Sequence, residues 1–164
     1  MKTIILLLSY ILLISFYGCS QKYGISKSHA YTRKITAGNI PVDHNNRPTT
    51  SGVQTVHIIY IETTPMQEPV WDTAWVEGKP FSIQMLKIPG DKATIGKTKD
   101  EQKEVMVQAA AGNMLWQLLL TPISSSTKSL TSKKAPILLR GKWKGKRVMY
   151  EIKKHTELAT IFAE

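Results

Sequence analysis

The sequence predicts an all-β fold, a small antiparallel sandwich or open barrel, and three observations carry that expectation. Short stretches of period-two alternation recur between Val53 and Lys153, several of them rich in β-branched and aromatic residues. Turn signals separate them at Glu77-Gly78, Gly112-Asn113 and Lys144-Gly145. No long amphipathic stripe of helical period competes with them. The one alternative is an α+β fold with a single helix near residues 98–111.

Before any of these stretches comes Met1–Cys19, MKTIILLLSYILLISFYGC. It has an early positive charge at Lys2, an apolar run from Ile4 to Phe16, then Gly18 and the chain's only cysteine. A basic start, a short apolar core and a small residue make a secretory signal peptide, here residues 1–18. The run is short for a bilayer span, which needs about 20 residues. Gly18-Cys19 after such a run resembles the lipobox of bacterial lipoproteins, with Phe16 and Tyr17 standing where that family favours Leu and a small residue. The resemblance implies that Cys19 is acylated and becomes the new N-terminus. The protein would then be held at a membrane of the cell envelope, on the periplasmic side or at the outer membrane, through its N-terminal lipid.

Residues 19–52 read as a flexible tether. Apolar residues are sparse there, and Gly24, Gly38, Pro41, Asn45, Asn46, Pro48 and Gly52 interrupt any period. A random coil of that length reaches about 30 Å. The folded part is therefore expected to be one β-rich domain over 53–164, stable without the tether.

Val56–Ile61 is β-branched and aromatic and apolar on both faces, which suits a strand covered on both sides. Val70–Val76 and Phe81–Met85 flank Glu77-Gly78-Lys79-Pro80 and read as a hairpin, with Trp71, Thr73 and Trp75 on one face. Pro89–Lys103 is polar and reads as a long loop. Thr98-Lys99-Asp100-Glu101 fits a capping box, yet the residues after it form no apolar stripe, so Glu104–Ala110 is expected to be a strand. Its partner would be Met114–Leu120, which places Met114, Trp116, Leu118 and Leu120 on one face. Pro122–Pro136 reads as an exposed loop. Ile137–Trp143 and Lys146–Lys153 then close a hairpin over Lys144-Gly145, pairing Ile137 with Ile152, Leu139 with Tyr150 and Gly141 with Val148.

Charge is concentrated in the segment that contains that last hairpin. Between Lys128 and Lys154 stand ten basic residues against one acid, Glu151, or +9 of the chain's formal +10. The pairing sorts Arg140, Lys142 and Arg147 onto one face, with Lys144 and Lys146 at the turn. Trp143 among these lysines resembles an interfacial anchor. The basic binding face is therefore Arg140, Lys142, Trp143, Lys144, Lys146 and Arg147. It suits the anionic surface of a membrane or another envelope protein. Nucleic acid is not expected in an exported compartment.

Catalytic chemistry finds little footing. With Cys19 lipidated, no thiol is left for catalysis, zinc or a disulfide. Gly96-Lys97-Thr98 is similar to the end of a phosphate loop, but Asp91 stands where its first glycine belongs. His29, His44, His57 and His155 have no metal-ligand spacing, so neither metal nor cofactor is expected. Glu62 and Asp72 lie at opposite ends of expected neighbouring strands and could in principle approach. Among twelve acids some such pair is always available, and sequence sets no separation between them. The expected function is that of an exported, membrane-tethered, non-catalytic binding domain. The alternative is a carbohydrate-binding module using Trp71 and Trp75 as a stacking platform, and an envelope enzyme comes third.

Overall fold

The computed structural model describes residues 22–38, 43–45, 47, 52–65, 68–123 and 136–163. The expected signal peptide over 1–18, Cys19 and most of the 122–136 stretch lie outside the described residues. Eleven strands are present among them and no helix: β1 Ile25–Ala37, β2 Val53–Thr63, β3 Val70–Val76, β4 Lys79–Lys87, β5 Lys92–Lys97, β6 Glu104–Gln108, β7 Met114–Pro122, β8 Ile137–Trp143, β9 Lys146–Ile152, β10 Thr156–Glu157 and β11 Ile161–Ala163. The all-β expectation holds. Nine strands form one sheet in the order β10-β1-β2-β7-β4-β3-β8-β9 with β11 also on β1, while β5 and β6 form a second, small sheet. The large sheet is mixed, because β10 and β11 run parallel to β1. Among the described residues no helix is long and apolar enough to cross a membrane.

The expected flexible tether over 19–52 is overturned at its centre. Ile25–Ala37 is the longest strand of the fold and pairs with β2 from Ile25↔Thr63 to Thr36↔Val53. Its composition hides it. β2 pairs along one edge and β10 and β11 along the other, and side chains pack over both faces. Ser28, Ala30 and Thr32 therefore suffice on one face, and His29, Tyr31 and Arg33 fill the other. The folded body thus begins at Lys22 at the latest, not at Val53.

One face of the large sheet is buried along its length, and the other is covered over β1, β2 and β7. On the first lie Ala30, Ile59, Leu118, Ala74, Leu139 and Val148, from strands at opposite ends of the strand order. Such residues share one core only if the sheet curls. A hydrogen bond of 3.2 Å between Ser28 Oγ and Tyr150 Oη ties β1 to β9 across the curl. The curl stops short of a closed barrel, since β9 is the last strand in the order. On the other face Tyr31, Tyr60 and Leu115 are covered by Ile95 of β5, Val107 of β6, Ala109 and Leu158. β2 therefore is covered on both sides, as its doubly apolar sequence requires, with Ile59, Tyr60 and Ile61 all buried.

The small sheet corrects two expectations. Part of the polar Pro89–Lys103 stretch is β5, and β6 pairs with β5 rather than with Met114–Leu120. Residues 98–111 contain a strand, so the alternative α+β fold falls; Thr98 Oγ1 accepts a hydrogen bond from Lys103 N and stabilises a turn, not a helix start. β7 pairs with β2 and β4 instead, and Trp116, Leu118 and Leu120 do share its curled-in face.

Candidate functional site

The hairpin of β8 and β9 has the predicted register, with Ile137↔Ile152, Leu139↔Tyr150, Gly141↔Val148 and Lys142↔Arg147. Lys144 and Gly145 turn the chain with φ of 49° and 75°, the positive pair that suits a tight hairpin. Ile137, Leu139, Val148 and Ile152 point into the core and are buried. Arg140, Lys142, Arg147 and Met149 consequently stand on the outer face, exposed.

A bulge in β3 completes that outer face. Trp71 opposes Gly141 and Thr73 opposes Arg140, leaving Asp72 as the extra residue. The bulge flips the side-chain parity of β3, so Trp71 packs in the core beside Ala74 while Trp75 points the other way. The predicted shared face of Trp71 and Trp75 is therefore not formed. Both rings are 2% exposed, which leaves no platform on which a sugar could stack. Gly141 is what lets Trp71 in: a Cβ there would stand 2.2 Å from the Val70 carbonyl oxygen and 2.8 Å from the Trp71 ring.

Asp72 and Arg140 close a small network. Arg140 Nε donates to Asp72 Oδ1 at 3.2 Å, Arg140 Nη2 donates to Thr73 Oγ1 at 2.7 Å, and Thr73 Oγ1 donates to the same Asp72 oxygen at 2.5 Å. The guanidinium also sits 5.2 Å over the Trp75 ring. Three groups, the Asp72 carboxylate, the Thr73 hydroxyl and the Trp75 ring, thus hold one arginine in one orientation. The side chains of Lys142 and Arg147, directly across from each other, have no ion-pair or hydrogen-bond partner among the described residues. Asp72, Arg140, Gly141, Lys142 and Arg147 line a cleft of about 170 Å³. Val70, paired with Lys142, is 64% exposed, and Met149, paired with Arg140, is 43% exposed. The face therefore combines cations with apolar side chains.

Trp143 does not belong to it. It turns to the curled-in side, where its ring meets Tyr23 edge-on at 6.1 Å, and its Nε1 is buried without a hydrogen-bond partner. Lys144 Nζ lies 4.4 Å over that ring, and Lys146 is the cross-strand partner of Trp143. The predicted six-residue face is split: Arg140, Lys142 and Arg147 gather at the cleft, whereas Trp143, Lys144 and Lys146 form the hairpin tip. Sequence reasoning missed Asp72 and Val70 as members, because nothing local reveals that β3 lies beside β8.

The remaining candidates separate. Glu62 and Asp72 are not on neighbouring strands, since β7 and β4 stand between β2 and β3. Glu62 is 1% exposed and is held by Asn113 Nδ2 and by the Ala110 amide at 3.0 Å, with Lys27 Nζ 4.0 Å from Oε2. Burial pushes its pKa up, but the bonds from Asn113, Ala110 and Ser26 and the Lys27 charge outweigh that and hold it below the ordinary carboxylate value. Its role is to anchor the turn between β6 and β7. An acidic cleft of about 430 Å³ is lined by Thr98, Asp100, Glu101, His155, Thr156 and Glu157, and Lys99 caps Glu157 at 2.7 Å. Among the described residues no three His, Cys, Asp or Glu side chains are grouped to hold a metal ion. No protein-family model matches the chain, and neither a curated protein nor a solved structure matches it.

Proposed function

We propose that this chain is an exported, lipid-anchored binding protein of a bacterial cell envelope, whose β-domain holds an anionic surface rather than catalysing a reaction. One observation carries the binding part: Arg140, Lys142 and Arg147 meet at a single cleft, two of them unpaired, beside exposed Val70 and Met149. A cation cluster with adjoining apolar side chains suits the head groups and interface of an anionic membrane. The anchoring part rests on Lys2, the Ile4–Phe16 run and Gly18-Cys19. The lipid on Cys19 would hold the domain at the membrane, on the periplasmic side or at the outer membrane. Attachment there raises the effective concentration of a weak basic face, so modest affinity suffices.

Sedimentation of the chain from Ser20 onward with vesicles tests the surface, since that chain contains every described strand. Phosphatidylglycerol vesicles at low salt should bind it and phosphatidylcholine vesicles should not. Each basic residue near such a surface is worth about 1 kcal/mol, so reversing Lys142 and Arg147 to Glu should abolish cosedimentation. Indifference to anionic vesicles at low salt overturns the reading. The anchor is tested by expressing the full chain in bacteria with labelled fatty acid. Label should enter the wild type and not Cys19→Ser; a Cys19→Ser protein that still takes label rules out that cysteine.

A further inference from the structure

The cleft at the β3 bulge has the build of a site for one small anion, narrower in demand than a diffuse positive face. Three cationic groups surround about 170 Å³, and the single carboxylate among them is already occupied. Asp72 Oδ1 receives both Arg140 Nε and the Thr73 hydroxyl, so it offers little repulsion to a second anion. Arg140 is oriented before any ligand arrives, and two of its donor positions serve that orientation while the others stay available. Lys142 and Arg147 are directly opposed like charges, an arrangement that disfavours a β-pair unless an anion lies between them. A fork of guanidinium donors with an ammonium beside it matches the oxygens of phosphate. The bulge at Asp72 creates the geometry, and Gly141 lines the cleft with backbone alone.

We propose that the cleft of Asp72, Arg140, Gly141, Lys142 and Arg147 is a phosphate-binding site, whose ligand is a phosphate group either free in solution or carried by the headgroup of an anionic lipid. Only the lipid source rests on the function proposed above.

The experiment uses the full chain in zwitterionic detergent micelles, titrated with inorganic phosphate and, separately, with short-chain phosphatidylglycerol, and followed by amide NMR. Saturable shifts should centre on Gly141, Lys142 and Arg147. Lys142→Gln and Arg147→Gln should each weaken binding about tenfold, the loss expected for one charge-assisted contact. Lys153→Gln with Lys154→Gln, equally basic but outside the cleft, should change it less than about twofold. Both cleft side chains are exposed and unpartnered, so these variants should melt as the wild type does, and a matched melting temperature verifies that each is folded. Shifts that never saturate, or that are equal at Lys144, Lys146 and Lys153, overturn the site. Saturation by inorganic phosphate without any response to the lipid supports the site with a soluble ligand and counts against the membrane reading. Vesicle binding that needs Lys142 and Arg147 while neither phosphate probe saturates leaves the membrane reading standing and overturns the site.

Discussion

Gly141 shows how much one missing carbon can decide. Trp71 fills the core only because no Cβ at position 141 contests the space, and the nearest atom to such a Cβ is backbone, the Val70 carbonyl, which cannot swing away. Gly141→Ala should therefore lower stability by about 2 kcal/mol or more, the cost of overpacking a dense interior, and chemical denaturation would measure it. A loss below half a kcal/mol would mean that β3 shifts freely. Gly145 offers the contrast, having φ of 75° and open space around its Cα. Gly145→Ala meets only backbone strain there, about 1 kcal/mol. Glu62 is a third case, for its Oε1 is the acceptor for Ala110 N and Asn113 Nδ2 in a site almost closed to water. Glu62→Ala should cost about 2–4 kcal/mol by orphaning those donors. Faster hydrogen exchange at Ala110 in that variant, with β8 and β9 unaffected, would place the damage at the turn between β6 and β7.

Strands differ in how openly the sequence declares them. The register of β8 and β9 was legible, because period-two alternation and a Lys-Gly turn fix both register and faces within sixteen residues of chain. β2 was legible because burial on both sides demands a continuous apolar run. β1 was not, since a strand flanked by others can be built from Ser, His, Ala and Thr, with no apolar face to betray it. β5 was missed for the related reason that Ala93 and Ile95 are its only inward residues and Gly96 interrupts it. Of the candidate site, the three cations of one hairpin face could be read; the bulge at Asp72 could not, because it arises from pairing with a strand sixty-eight residues away. Removing the chain before Val53 checks the correction about β1. The expected result is loss of cooperative melting, since β2 would lose its partner from Ile25 to Thr36 and β10 and β11 theirs entirely. A truncated chain that melts like the full one would return residues 22–38 to the status of a dispensable tether.

At the scale of the molecule, charge and burial combine to make stability depend on pH in a definite direction. His29 and His57 are half-buried on β1 and β2, and burial is the main cause that lowers each pKa from 6.5. Around His29 the Glu62 charge acts upward and Lys27 downward; around His57, Glu77 acts upward while His155 and Lys79 act downward. Nε2 of His29 and Nδ1 of His57 are buried without hydrogen-bond partners, so neither site gains a bond when the ring takes a proton. The unfolded chain then binds protons at higher pH than the folded one, and stability rises with pH across that interval. The histidine contribution is fully present above about pH 6.5 and disappears as pH falls through the lowered folded values. Glu62, also depressed, adds a second loss in the same direction below its unfolded value of 4.5. Net charge of +10 grows as carboxylates protonate, and its self-repulsion steepens the acid side further. Urea unfolding at pH 8, 6.5, 5.5 and 4.5 should give a stability that holds down to about 6.5 and declines below it. Repulsion among surface charges would also give a slope, so the deciding measurement is the variant with His29→Gln and His57→Gln. Its unfolding free energy should be nearly flat between pH 6.5 and 5, and an unchanged slope would assign the acid sensitivity to net charge alone.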